Sequence, residues 1–250
     1  MKMNRSLVLL LALLLVSAVS ASAGDSILEK VSIGTEVNVG WDRDLTLDVL
    51  NQDVEMDMET YLITFPIQAA EWLTVTPKVG VAHNSFEAVT AFGTIEADTE
   101  AGIAAGIDVA ADVYKTKSDK SYLDGYQFTL LGAYLFSNTE IDSVDIGAIE
   151  INNPLRNDVT LHDLELGARV SKQLGVVTPY IGVAYTNIFG QAEINASVIN
   201  LEDDIRDDND EGSIGMRLGL GATPIENLTV SIDAKLFDQY AIGAKGSYKF

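Results

Sequence analysis

The chain of 250 residues has no cysteine, two histidines and five prolines, and it is short of positive charge, with 16 Lys and Arg against 37 Asp and Glu. Each shortage excludes something. Without cysteine there is no disulfide, no zinc-thiolate site and no cysteine nucleophile. A formal net charge of −21 has the wrong sign for nucleic acid, which is bound by basic surfaces, so no nucleic-acid partner is expected. Past residue 23 no apolar run approaches the ~20 residues that a spanning helix needs. A chain that crosses a bilayer without such a helix must cross as a closed barrel, because closure alone leaves no strand-edge group unpaired in lipid.

What is present begins with MKMNRSLVLLLALLLVSAVSASAG, in which Lys2 and Arg5 precede an apolar run from Leu7 to Val16 and the small residues Ala21, Ser22 and Ala23. That order is a secretory signal peptide: basic, apolar, then a small-x-small cleavage site. The predicted division is therefore a leader at 1–23 and one domain at 24–250, with no linker rich in Pro, Gly or Ser inside it. Loss of the leader leaves 14 basic residues against 37 acidic ones, a charge of −23.

The mature sequence alternates with period two, the period of a strand. Val37, Val39 and Trp41 oppose Glu36, Asn38 and Gly40; Val75, Val79 and Val81 oppose Thr74, Lys78 and Gly80; Leu228, Val230 and Ile232 oppose Thr229, Ser231 and Asp233. Pro77 argues against regularity in the second of these, since it cannot donate to a ladder. The stretch 56 to 67 is apolar but ambiguous in phase, and a bulge is expected near Glu59. Segments near 30–41, 56–67, 73–82, 100–113, 122–137, 159–172, 176–189, 212–222, 228–237 and 241–250 make about ten strands, with eight or twelve as alternatives. The expected fold is all-β: a transmembrane antiparallel up-and-down barrel. A soluble sandwich would also alternate, but here the polar face is mostly Gly, Ala, Ser and Thr, as a crowded interior requires. Connections also alternate between short ones (68–71, 115–120, 173–175, 224–227) and long ones (42–55, 84–99, 138–158, 190–211), as in barrels with short turns at one end. Alternating patches within the long connections, Ala88 to Glu96 and Val144 to Ile151, predict strands that project beyond a membrane.

AAEWLTVTPKVGVA, IENLTVSIDAKLFDQYAIGAKGSYKF and the terminal Tyr248 and Phe250 resemble the porin-like outer-membrane β-barrel proteins of Gram-negative bacteria, over essentially the whole mature chain. The resemblance implies an outer-membrane location reached through the general secretory route. It also implies that Tyr248 and Phe250 act as an assembly signal read by the barrel assembly machinery, with outer-membrane lipid and lipopolysaccharide as surroundings.

The four acidic stretches 42–59, 87–100, 138–158 and 191–211 carry −6, −4, −4 and −7, which together make −21 of the −23. The wall is close to neutral, with Glu36, Asp108, Asp163, Glu165 and Asp233 set against Lys78, Arg169, Arg217, Lys235 and Lys245 on the lumen-facing phase. Lumen charges must pair or be hydrated. The expected function is a passive channel for small hydrophilic solutes or ions, with cation preference from an acidic mouth. The alternative is a non-conducting surface or structural barrel that acts in adhesion or envelope contact through its long acidic loops.

LEDDIRDDNDEGS fails the calcium-loop pattern, because the twelfth position from Asp207 is Leu218. Divalent cations bridging the loops to lipopolysaccharide remain a candidate partner, beside the simpler reading of a solvated acidic loop. His83-Asn84-Ser85 has the His-x-Ser spacing of some lipid A deacylases and His162 adjoins Asp163, but no third catalytic group can be named. No enzyme, cofactor or resident metal is expected.

Overall fold

A computed structural model describes residues 31–47, 52–90, 93–116, 124–146, 149–152, 157–196, 199–207, 212–236 and 240–249. The leader expected at 1–23, Phe250, the connection at Asp238 and most of the expected KTKSDK turn lie outside them. Thirteen strands run in chain order: β1 Ser32–Leu47, β2 Gln52–Thr64, β3 Ile67–Ala70, β4 Leu73–Thr90, β5 Gly93–Lys115, β6 Tyr126–Ile146, β7 Ile149–Asn152, β8 Asp158–Lys172, β9 Val177–Ala196, β10 Ile199–Asp207, β11 Ser213–Ile225, β12 Leu228–Leu236 and β13 Tyr240–Lys249.

Each wall strand pairs antiparallel with its neighbours, and β1 joins β13 through ten residue pairs from Ser32↔Lys249 to Trp41↔Tyr240. The sheet is thus a closed barrel of ten strands, with β3 continuing β2. The break between those two has a local cause. Phe65 donates to Pro77 O at 2.9 Å, but Pro77 has no N–H with which to return the bond. Pro77 therefore stays within β4, opposite Ile107 of β5, and it is β2 that is interrupted.

The outer surface explains why so much apolar side chain is exposed. Ile63, Leu130, Leu166, Ile181, Val183, Ile232 and Ile242 each leave half or more of their surface uncovered. On a soluble protein that would be an aggregation liability; on a barrel wall it is the lipid face. Aromatics bound this band at both ends. Tyr248 and Tyr240 stand eight residues apart on β13, as do Phe128 and Phe136 on β6. Eight residues at ~3.3 Å each, tilted by ~40°, span roughly 20 Å of height. At one edge Trp41 stacks on Tyr240, with centroids 6.4 Å apart. At the other, Tyr114 packs on Phe128 and Lys172 Nζ lies 4.6 Å over the Tyr126 ring, the arrangement of an interfacial aromatic belt.

Several strands are far longer than the band. β5 has 23 residues and β6 has 21, against nine in β12. The stretches expected as long loops are largely strand extensions: β4 continues to Thr90, β5 starts at Gly93, and β6 with β7 forms a hairpin at Ser143 to Asn152. The acidic run expected as a solvated loop is corrected too, since its first part is β10. β10 pairs with β9 on one side and with β1 at Leu45↔Asp207, Thr46↔Arg206 and Leu47↔Ile205 on the other. Beyond Trp41 and Tyr240 the three shortest wall strands, β11, β12 and β13, are thereby bypassed. The wall there is a ring of eight strands: β1, β2, β4, β5, β6, β8, β9 and β10.

The register step that makes this ring lies between Gly40 and Arg43 of β1, where β2 passes only from Met58 to Met56. Asp42 takes a left-handed conformation (φ 57) and its N–H is held by Asp57 Oδ1 at 3.1 Å, a backbone state that Asp tolerates better than most residues. The bulge expected near Glu59 of β2 is therefore on the partner strand, β1. It turns Arg43 and Leu45 inward.

Candidate functional site

Inside the ten-strand part is a cavity of about 430 Å³. Glu36, Lys78, Asp108, Asp163, Glu165, Arg169, Arg217, Asp233, Lys235 and Lys245 all line it. Alternation brings them there: each occupies the inward phase of its strand, between neighbours on the outward phase that are mostly apolar, such as Ile107 and Val109 about Asp108 and Leu164 and Leu166 about Glu165.

Eight of these ten form two quartets. In the first, Lys78 Nζ lies 2.6 Å from Asp108 Oδ1 and 3.8 Å from Glu36 Oε1, while Lys245 Nζ lies 3.0 Å from Glu36 Oε2 and 3.5 Å from Asp108 Oδ2. In the second, Arg217 bonds Glu165 Oε1 at 2.7 Å through Nη1, and Asp233 Oδ2 at 2.8 Å through Nη2 and 3.0 Å through Nε. Lys235 completes it through Glu165 Oε2. Each quartet holds two cations and two anions and is neutral, the arrangement by which buried charge is tolerated. The quartets meet across Gly243 of β13, where a Cβ would lie 2.7 Å from Asn38 Oδ1 and 3.2 Å from Asp233 Oδ1. Asn38 in turn donates to Glu36 Oε1 at 2.8 Å.

Asp163 and Arg169 stand outside the quartets. Asp163 Oδ1 and Arg169 Nε are both buried without a hydrogen-bond partner, and the Arg169 guanidinium stacks on Tyr180 at 5.2 Å. Arg43 escapes the sequence reading, and Tyr180, on the inward phase by alternation, is not among its candidate site residues. Arg43 is turned inward by the bulge. Tyr180 is an aromatic on a polar phase, accommodated because Gly219 faces it: a Cβ there would sit 2.2 Å from Tyr180 Cζ.

Towards the loops the interior changes character. Leu45, Met56, Ile141, Val159, Leu161, Ile188, Ala192 and Ile205, each no more than 8% exposed, fill the eight-strand ring as one apolar cluster. An eight-strand barrel is just wide enough for its own side chains to fill it. Below the cluster Thr60, Asn84, Thr99 and Thr139 are buried and stitch the wall, with Asn84 Nδ2 donating to Thr139 Oγ1 at 3.2 Å. The cavity therefore ends against packed side chains on the loop side. At the other end it reaches Ser171, Thr178, Thr223 and Thr229, next to the short turns.

The outer face of the extensions carries a row of carboxylates on consecutive strands. Asp44 faces Glu55, Glu55 faces Glu87, Glu87 faces Glu96, and Glu96 faces Asp145. Among the described residues no three acids or histidines are arranged to hold a metal ion.

The histidines lie apart. His162 Nδ1 is 2.6 Å from Tyr134 OH and its ring stacks on Phe189 at 5.0 Å, on the lipid face, whereas Asp163 lines the cavity. His83 faces Glu59 across the ladder. Asn84 between His83 and Ser85 points inward and is fully buried.

No protein-family model and no curated protein sequence matches the chain. Solved structures do match in fold. The translocator domain of autotransporter NalP from Neisseria meningitidis is 13% identical at a TM-score of 0.50, with 94% of this chain and 93% of that one covered. The outer membrane protease OmpT from Escherichia coli is 8% identical at a TM-score of 0.50, covering 89% and 97%. The chain has the outer-membrane β-barrel fold.

In this outer-membrane barrel both ends of the described chain, Val31 and Lys249, lie at the short-turn end, as β1 and β13 run antiparallel from there. Tyr248 points outward between Ile33 and Leu228, 44% exposed, at the belt of that end.

Proposed function

We propose that this chain is an outer-membrane barrel with a blind lumen, entered by water from the short-turn end and closed on the loop side, which works as a non-conducting surface or structural barrel. The apolar cluster in the eight-strand ring carries this reading. Ions cross a dry, packed constriction only if its side chains part, and Ile188 at 0% exposure and Leu45 at 1% sit in a tightly packed cluster. The working surface is then the acidic outer face of the extensions, with lipopolysaccharide, through bridging divalent cations, as its candidate partner. The leader at 1–23 delivers the chain through the secretory route, and the last strand with Tyr248 and Phe250 serves the assembly machinery.

A small passive channel is the second reading, favoured by the polar cavity of about 430 Å³. It requires the cluster to open. Cation preference, expected from the acidic mouth, draws no support from the described lining, which holds six basic residues (Arg43, Lys78, Arg169, Arg217, Lys235, Lys245) and five acidic ones (Glu36, Asp108, Asp163, Glu165, Asp233). We read the barrel as non-enzymatic, although OmpT is a protease; His83 and His162 face away from the cavity acids. Unchanged lipid A and no peptide cleavage by the refolded protein are the expected results.

Planar-bilayer recording from refolded, heat-modifiable protein tests the main reading. Silence is expected. Discrete conductance steps from the unmodified chain would replace it with the channel.

A further inference from the structure

Charge in the cavity cancels within the two quartets, and at the short-turn end Arg169 is left without an ion pair, with Asp112 in the same row but on the far side of Thr129. Arg169 of β8 lies opposite Gly182 of β9, which lies opposite Arg217 of β11. The row thus places two arginines on either side of a glycine. A Cβ on Gly182 would come within 2.6 Å of Ala168 O and 3.0 Å of Arg169 Cβ, so the space beside Arg169 depends on that glycine.

Arg217 is satisfied by Glu165 and Asp233. Arg169 takes part in none of the ion pairs among the described residues. Asp112, which accepts from Thr129 Oγ1 at 2.7 Å, and Asp233 act on it only at longer range. Its Nε is buried and unbonded. Tyr180 supports the guanidinium plane from one side, which fixes its position without neutralising it. Asp163, the lining acid outside the quartets, is six residues further toward the loops on the same strand, roughly 20 Å away. Around Arg169 toward the turns the lining is hydroxyl-bearing: Ser171, Thr178, Thr229 and Ser231.

A held guanidinium with unused donors, set among hydroxyls, matches an oxyanion, because its fork accepts two oxygens at once. We infer that the turn-end half of the cavity is a binding site for a small oxyanion, a carboxylate or a phosphate, with Arg169 as its anchor. The inference rests on the proposed lumen only in that the ligand enters from the short-turn end.

Calorimetric titration of the full refolded chain with inorganic phosphate and, separately, acetate tests it, at constant ionic strength with chloride as reference. Saturable binding of at least one of them is expected, at least about tenfold weaker in Arg169→Gln, the loss of a charge-assisted bond, with part of it restored in Arg169→Lys. A response to phosphate alone assigns a phosphate ligand, and to acetate alone a carboxylate. Binding no tighter than chloride, or Arg169→Gln binding like the parent, overturns the site. Heat-modifiability on a gel reports whether each variant folds. Should Arg169→Gln fail that check, the double change Thr229→Val with Ser231→Ala leaves every charge in place and is expected to weaken binding several-fold; unchanged affinity there overturns the site as well. Bilayer recording on the same samples keeps the two ideas separate: a silent barrel that binds no oxyanion sinks only this inference, and a conducting barrel that binds one sinks only the blind lumen.

Discussion

Changing Glu165 to Gln and Glu87 to Gln makes the same chemical edit on opposite faces of the barrel, and the two should move stability in opposite directions. Glu165 is 5% exposed, with one oxygen 2.7 Å from Arg217 and the other on Lys235. The amide keeps the shape and loses the charge, leaving Arg217 and Lys235 with Asp233 alone and Arg169 close by. Breaking a buried ion pair costs about 3–5 kcal/mol, and because the amide oxygen still accepts, the lower end applies. About 3 kcal/mol is a roughly hundredfold fall in the folded-to-unfolded ratio. Glu87 stands between Glu55 and Glu96 in the outer carboxylate row, where like charges directly opposite are destabilising by ~0.2–1 kcal/mol per pair. Neutralising it removes two repulsions and should stabilise by about 0.5 kcal/mol. Equilibrium urea unfolding in lipid vesicles at low salt, followed by the fluorescence of the two tryptophans, Trp41 and Trp72, measures both. If Glu165→Gln unfolds within about 0.5 kcal/mol of the parent, the quartet is not a buried network and the reasoning fails. Loss of stability in Glu87→Gln would refute the repulsive row.

Three further outcomes follow from the same geometry. Raising the salt concentration should slow hydrogen exchange in the extensions of β2, β4 and β5 while leaving β12 unchanged, because screening acts on the exposed row; uniform protection would contradict it. Gly102→Ala should destabilise by ~1–3 kcal/mol, since a Cβ there would meet Asn138 O at 1.9 Å; a parent-like urea midpoint would show that β5 and β6 can separate at this point. Ile188→Asp introduces a charge at a 0% exposed position of the apolar cluster and, on the blind-lumen reading, should make the barrel conduct by admitting water into the cluster; a folded, heat-modifiable variant that stays silent would mean the loop side is closed by something other than this cluster.

The wall was readable residue by residue because a barrel strand has only two faces. Val37 and Val39 pointing out determine that Glu36 and Asn38 point in, and the cavity charges follow from that alternation alone. A second signal was present but easily passed over. Along β8 the inward set reads Arg169, Gly167, Glu165, Asp163, Leu161, Val159, changing from polar to apolar toward the loops, and β2 changes likewise from Thr60 through Met58 and Met56 to Val54. That transition marks where lumen gives way to packed core. Two features had no such local signal. Arg43 needed a bulge that depends on Asp57, 15 residues away, capturing the Asp42 N–H. LEDDIRD reads as solvated charge, because the residues two places either side of the buried Ile205 are Asp203 and Asp207, which leaves no apolar alternation to read; its identity as a strand comes from the edges of β1 and β9 with which it pairs.

The ten-to-eight narrowing places control of the bore in an insert and not in the wall. β10 belongs to the connection between β9 and β11, and three residue pairs with β1 join it to the start of the chain. Everything below Trp41 is built without it. On the blind-lumen reading, a descendant sequence that shortened that one connection would release the edges of β1 and β9 and open the lumen while every membrane-facing residue stayed as it was. Permeability would then vary independently of the structure that holds the protein in its membrane.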